Sequence, residues 1–60
     1  MLIKAKDRVW VTTGPFAGME GEVQAIDEDR DLLRIEIQVS GRPVPVELES
    51  AEVELVRYPA

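Results

Sequence analysis

The chain contains no cysteine and no histidine. Disulfides, Cys/His zinc sites and histidine-based acid–base chemistry are therefore excluded. A cysteine-free chain fits a cytoplasmic setting, where disulfides are rare in any case. Aromatic residues are scarce, with one Trp, one Tyr and one Phe in 60 residues, so Trp10, Phe16 and Tyr58 each matter individually. No apolar run approaches the roughly 18 residues that a membrane span needs, and Met1-Leu-Ile-Lys4 is too short for a signal peptide. Sixty residues make one domain, 1–60. A chain of that length buries only about 60% of its unfolded surface. With no covalent staple, it must hold together by packing alone.

Positive charge is also in short supply. Seven Lys and Arg face twelve Asp and Glu, for a net charge of −5, and the basic residues form no stripe. Non-specific nucleic-acid binding comes chiefly from Lys and Arg neutralising phosphates, so direct RNA or DNA binding is disfavoured. Complementary potentials favour basic protein partners instead. The same charge also keeps a small domain soluble, so it does not by itself imply a partner.

What is present is a succession of short strands. Between Asp7 and Thr13, Val9 and Val11 point one way while Arg8, Trp10 and Thr12 point the other, the period of a half-buried strand. Gly14-Pro-Phe-Ala-Gly18 then makes a tight loop. A second strand runs over Glu20–Asp27. Gly21, early in it, predicts a bulge or a close backbone approach. Its parity is imperfect, because Val23 and Ala25 share a face that excludes Ile26. A bulge near Gly21 or a register change before the turn would reconcile them.

Asp27-Glu-Asp-Arg-Asp31 is a polar hairpin tip, after which Leu33, Ile35, Ile37 and Val39 alternate cleanly with Arg34, Glu36 and Gln38. Ser40-Gly-Arg-Pro43 turns the chain into a fourth strand carrying Val44, Val46 and Leu48 on one face. Pro43 and Pro45 belong at an edge or bulge, since proline donates no ladder hydrogen bond. Glu49 to Glu52 reads as one helical turn that Ser50 can cap, and Val53 and Leu55 begin a short closing strand. Met1 to Lys6 reads as a ragged lead-in. Five short strands with tight turns predict an all-β, five-stranded SH3-like barrel, in which closure removes exposed edges.

Chemistry has little to work with. Asp27, Asp29 and Asp31 have the spacing that opens an EF-hand loop, but its sixth position holds Leu32 instead of Gly and its twelfth Gln38 instead of Glu. Three carboxylates at a hairpin tip are ordinarily just solvated, and neither metal nor cofactor is expected. Glu20 with Glu22, and Glu47 with Glu49, share strand faces, yet a 60-residue barrel has no second layer to form a cleft that raises one carboxylate pKa. Ser40, Ser50, Thr12 and Thr13 have no histidine to activate them. The chain does not read as an enzyme.

Surface recognition remains. Trp10 has the wrong parity for the core and is either a partner anchor or a cover for the barrel's open end, over Met19 or the tail near Tyr58. Phe16 is either a plug or a contact, and Met19 either a gap-filler or part of an adaptable surface. Arg42, between Gly41 and Pro43, suits a directed ion pair, although surface arginines are often only solvated.

The pieces Asp7-Arg-Val, Gly14-Pro-Phe-Ala-Gly18, Gly21, Ile26-Asp27, Gly41-Arg-Pro-Val-Pro-Val-Glu-Leu48 and Glu52-Val-Glu54 together resemble the C-terminal KOW domain of the bacterial NusG family. The first half alone is shared by many transcription and translation proteins, and the Gly-Arg-Pro string is the more specific half. The resemblance implies the isolated C-terminal domain of a longer protein, a monomer that docks the termination factor Rho or the ribosomal protein NusE. An N-terminal domain absent from this chain would ride on RNA polymerase. It implies contacts at one end of the barrel, carried over to Phe16, Met19, Asp27, Val39, Ser40 and Arg42, with NusE adding a strand-like segment to the barrel's edge.

Some relatives, such as RfaH, hold this domain as a helical hairpin, but the alternation in the third and fourth strands argues against that here. The chain departs from the family where Ser40 precedes Gly-Arg in place of an aromatic, where Met19 replaces a second aromatic, and where Trp10 stands at a usually basic position. A diverged or engineered barrel with no retained partner is the alternative. KOW-type RNA binding through Lys4, Lys6, Arg8 and Trp10 is a third and weaker reading.

Overall fold

A computed structural model describes residues 2–56. Its elements are β1 (Arg8–Val11), β2 (Glu20–Asp27), β3 (Leu32–Val39), β4 (Arg42–Glu49), a single 3-10 turn over Ser50–Glu52, and β5 (Val53–Leu55). All pairings are antiparallel, in the order β4-β3-β2-β1-β5. The sheet curls into the expected SH3-like barrel around one core, but among the described residues no ladder joins β4 to β5, so the barrel keeps two edge strands where closure was expected to remove them. Val9 and Val11 from β1, Val23 from β2, Leu33, Ile35 and Ile37 from β3 and Val53 from β5 are its buried members. Alternation predicted all of these but Val53, whereas Val39, also expected inside, and Val44, Val46 and Leu48 of β4 are half-buried. Each fully buried side chain contributes roughly 1.5–3 kcal/mol by leaving water.

The irregular parity of β2 is resolved three residues beyond Gly21, at Gln24. Val23 faces Ile35, but Ala25 faces Arg34, so the register shifts between them and Gln24 is the extra residue. Ala25 is thereby turned outward, and Ile26, opposite Leu33, packs half-buried against the core. Gly21 itself pairs regularly, with Val9 on one side and Ile37 on the other. Its role is the close approach.

Two expectations about the chain's connections are corrected. The lead-in is not ragged over Lys4–Asp7. Asp7 closes a turn by accepting the Lys4 N–H at 2.9 Å, and Lys6 N–H and the Asp7 carbonyl bond both backbone groups of Val23 at 2.7 and 2.8 Å. Ser50 does not cap the 3-10 turn. Glu52 does so by reaching back to the Glu49 N–H at 2.8 Å, while the Ser50 hydroxyl donates to Asp31 Oδ1 at 2.7 Å and ties the turn to the β2–β3 hairpin.

The β3–β4 turn is tighter than the four residues predicted. Val39 pairs directly with Arg42, leaving a two-residue loop with φ 51° at Ser40 and 77° at Gly41. Positive φ at both positions defines a type I′ turn, which matches the strand twist. Glycine takes that conformation freely, but serine does not. Asparagine is the residue type preferred at the first position, so Ser40→Asn is expected to stabilise the domain by about 0.5–1 kcal/mol. A higher denaturation midpoint at unchanged m-value checks this.

The same turn fixes which way β4 presents its backbone. A two-residue hairpin makes Val39 and Arg42 a hydrogen-bonded pair, and strict alternation follows. Val44, Val46 and Leu48 therefore bond β3, while Pro43, Pro45, Glu47 and Glu49 turn their backbone groups to the free edge. Two of those four residues are prolines without an N–H, and the Glu49 N–H is taken by Glu52. Both prolines lie at the sheet edge, as expected, and they blunt that edge against pairing with other strands.

Candidate docking end of the barrel

Loop 12–19 is held at its base by two backbone bonds, Gly18 N–H to the Val11 carbonyl at 2.7 Å and Val11 N–H to the Met19 carbonyl at 2.9 Å. Within it, Ala17 N–H bonds the Gly14 carbonyl and Met19 N–H bonds the Phe16 carbonyl, at 3.2 and 3.0 Å. These successive turns fold Phe16 and Met19 back over the strand ends, where both are half-buried and pack on the core. Each is thus a plug on its inner side and still offers surface on its outer side.

Register brings the second component to the same place. Trp10 faces Glu20, and Gly21 faces Ile37. The start of β2 therefore lies beside the end of β3, and the Ser40–Gly41 turn beside loop 12–19. Val39 is half-buried against the core, whereas Ser40 and Arg42 are exposed. Phe16, Met19, Val39, Ser40 and Arg42 are thus gathered at one end. Arg42 stands at the first position of β4, not within the turn, and among the described residues the only ion pair is Arg8 with Glu20.

Asp27 does not join them. It closes the far end of β2, seven positions from Glu20, or about 23 Å at the usual strand rise. There its carboxylate accepts the Arg30 N–H at 3.2 Å, inside the β2–β3 turn. A shallow depression of about 160 Å³ lies at that end, lined by Ala25, Ile26, Asp27, Leu32, Arg34 and Glu47. Ligand pockets are generally larger, about 300 Å³ and upward. Asp27 and Asp31 are both engaged in hydrogen bonds, Asp27 within its own turn and Asp31 with Ser50. Among the described residues no cluster of three or more acidic side chains is arranged to hold a metal.

Trp10 does not cover the open end. It projects from the outer face of β1, 44% exposed, and its indole Nε1–H donates to Glu54 Oε2 at 3.1 Å. Tyr58, the other proposed neighbour, lies outside the described residues. The partnership with Glu54 was invisible in the sequence because it spans 44 positions and depends on the pairing of β1 with β5. Among the described residues, no helix is long and apolar enough to cross a membrane.

Comparison with known proteins agrees with this architecture. The KOW motif family matches residues 5–37. The chain is 43% identical over 49 residues to the transcription termination/antitermination protein NusG of Neisseria meningitidis, covering 82% of this chain and 28% of that protein. It is 40% identical over 50 residues to NusG of Liberibacter asiaticus, covering 83% of this chain and 71% of that one. The solved structure of Thermotoga maritima NusG superimposes with a TM-score of 0.87 at 33% identity, over 95% of this chain and 32% of the other. The chain thus spans under a third of the Neisseria relative's length. Its matched motif, its identity with NusG relatives and its superimposable barrel establish that it belongs to the KOW family, as a C-terminal domain of the NusG type.

Proposed function

We propose that this chain is a protein-docking module of a NusG-type transcription factor. It links RNA polymerase, engaged by a separate N-terminal domain, to Rho in termination or to the ribosomal protein NusE in antitermination. It acts as a monomer in the cytoplasm and catalyses nothing. The observation that carries the reading is the convergence of loop 12–19 and the Ser40–Gly41 turn on one end, with Phe16, Met19 and Val39 half-buried beneath exposed Ser40 and Arg42. A preformed patch with apolar residues under a polar rim has the anatomy of a protein interface.

Two features shape how a partner would dock. The donor-poor edge of β4 gives an added strand little to bond near Pro43 and Pro45, so the partner rests on the barrel's end instead of running along β4. Asp27 takes part only if the partner also extends down β2. Ser40 and Met19, which replace family aromatics, favour the second reading of a barrel that keeps the fold without the partner. Losing an aromatic anchor costs about 2 kcal/mol, more than tenfold in affinity.

NMR titration of the labelled chain with NusE, and separately with Rho, tests both readings. Docking predicts shifts at Phe16, Met19 and Val39 to Arg42 with little change at Asp27, and Arg42→Ala weakening binding while the spectrum stays folded. No shift at saturating concentrations of either protein would establish the second reading.

A further inference from the structure

We propose that Trp10, set between Glu54 and Glu20 on the outer face of the sheet, forms a second binding surface that takes an arginine side chain from a basic protein segment. The register places Glu54 directly beside Trp10 on β5 and Glu20 directly beside it on β2. Residues opposed in this way have Cβ atoms only about 4.5–5.5 Å apart, so carboxylates flank the indole on both sides. Trp10 is absent from the set of half-buried residues that pack on the core. Its exposure is therefore not the margin of a buried contact.

The indole is already oriented. Its N–H is spent on Glu54 Oε2 at 3.1 Å, which ties the ring to β5 and leaves its π-face as the group on offer. A cation placed over a tryptophan face is attracted by the ring quadrupole. Guanidinium suits this site better than ammonium because it is planar, weakly hydrated and carries donors in its own plane. Those donors can reach the carboxylates on either side of the ring while the plane stacks on it.

The surroundings select the partner's charge. Glu22 and Glu36 face one another in the next row of the outer face, and the whole chain carries a net charge of −5. Among the described residues Arg8 is the neighbouring cation, and it leans to Glu20 through a long 3.4 Å contact with both side chains largely exposed. An incoming guanidinium can displace such a contact at little cost. The same carboxylates repel phosphates, which sets this surface against RNA although its indole could stack on a base. The site lies on the outer sheet face and adjoins the Phe16 and Arg42 end, since Glu20 follows Met19, but it uses different side chains and does not depend on Rho or NusE.

Trp10 is the sole tryptophan, so intrinsic fluorescence reports the site directly. The 60-residue chain is titrated at low salt with a short Gly/Arg alternating peptide, its Gly/Lys counterpart, and a single-stranded RNA decamer. We expect a saturable change with the arginine peptide, about two- to fivefold tighter than with the lysine peptide, and no change with RNA. Trp10→Leu, followed by NMR at Glu20 and Glu54, should erase the arginine preference while keeping the domain folded. Glu54→Gln, which retains an acceptor for the indole, should weaken binding severalfold. Equal response to both peptides, survival of the preference in Trp10→Leu, or a response to RNA would each overturn the proposal.

Discussion

Gly21→Ala is expected to leave the domain largely unfolded at room temperature, the most severe effect of any single added methyl group in this chain. A Cβ at Gly21 would lie 2.6 Å from the backbone oxygen of Glu36, 2.6 Å from Ile35 Cγ2 and 3.1 Å from Ile37 Cγ1. Side-chain contacts can relax by rotation, but the carbonyl belongs to β3 and is held in the ladder. Relief requires β2 and β3 to separate where both line the core. Overpacking typically costs about 1–3 kcal/mol and sometimes more, and a rigid backbone obstacle belongs at the upper end. A domain of this length draws only about 3–5 kcal/mol from its core, so the loss is comparable with the whole.

Two comparisons isolate the cause. Gly18 has φ 88° and open space around its missing side chain, so its requirement is conformational, and Gly18→Asn should cost well under half as much as Gly21→Ala. Ile35→Ala removes one obstructing methyl group but leaves the Glu36 carbonyl in place. Combined with Gly21→Ala it should therefore rescue nothing. Far-UV circular dichroism and denaturant midpoints decide the matter, and recovery in the double variant would place the obstacle in the side chain.

The pattern of what could be read from sequence follows from the range of the forces involved. Alternation in β1 and β3 specified most of the buried set because one residue of slip would expose every core side chain, while the alternating residues of β4 are only half-buried at the edge. The close approach at Gly21 was legible because a strand tolerates an interior glycine mainly where something needs the space. A register change before the turn was legible in the conflicting parity of Ala25 and Ile26, but its place was not, since nothing in Val23-Gln-Ala25 marks Gln24 as the extra residue. Ser50 was misread as a cap because its partner, Asp31, is 19 positions away, while the true cap, Glu52, is local and has the ordinary spacing of a capping box.

The candidate site divides in the same way. Antiparallel hairpins must bring loop 12–19 and the Ser40–Gly41 turn to one end, so five of the six residues carried over from the family converge there. Asp27 was separable by strand length alone, because a residue at the other end of an eight-residue strand cannot share that end. The environment of Trp10 was out of reach, since parity excluded the core without revealing the neighbour on β5.

Leu33→Ala is expected to cost about 3–5 kcal/mol, and Leu48→Ala about half of that, although the two leucines are register partners. Leu33 is fully buried in β3, with strands on both sides. Truncating it removes a whole side chain's burial and leaves a cavity that neighbouring ladders prevent from collapsing. Leu48 lies on the edge strand β4 and is only half-buried. Part of its surface is already hydrated in the native state, and β4 is free to shift inward because none of the described strands pairs with its outer edge. Identical chemistry at paired positions therefore measures the two terms separately, with residue type held constant. Since Leu33→Ala alone would empty the native state, both variants are titrated with the osmolyte TMAO, which strengthens effective burial, and the concentrations that restore folding are compared with the parent domain. Equal losses at the two sites would mean that β4 is held as rigidly as β3, and that the free edge gives the barrel no room to adjust.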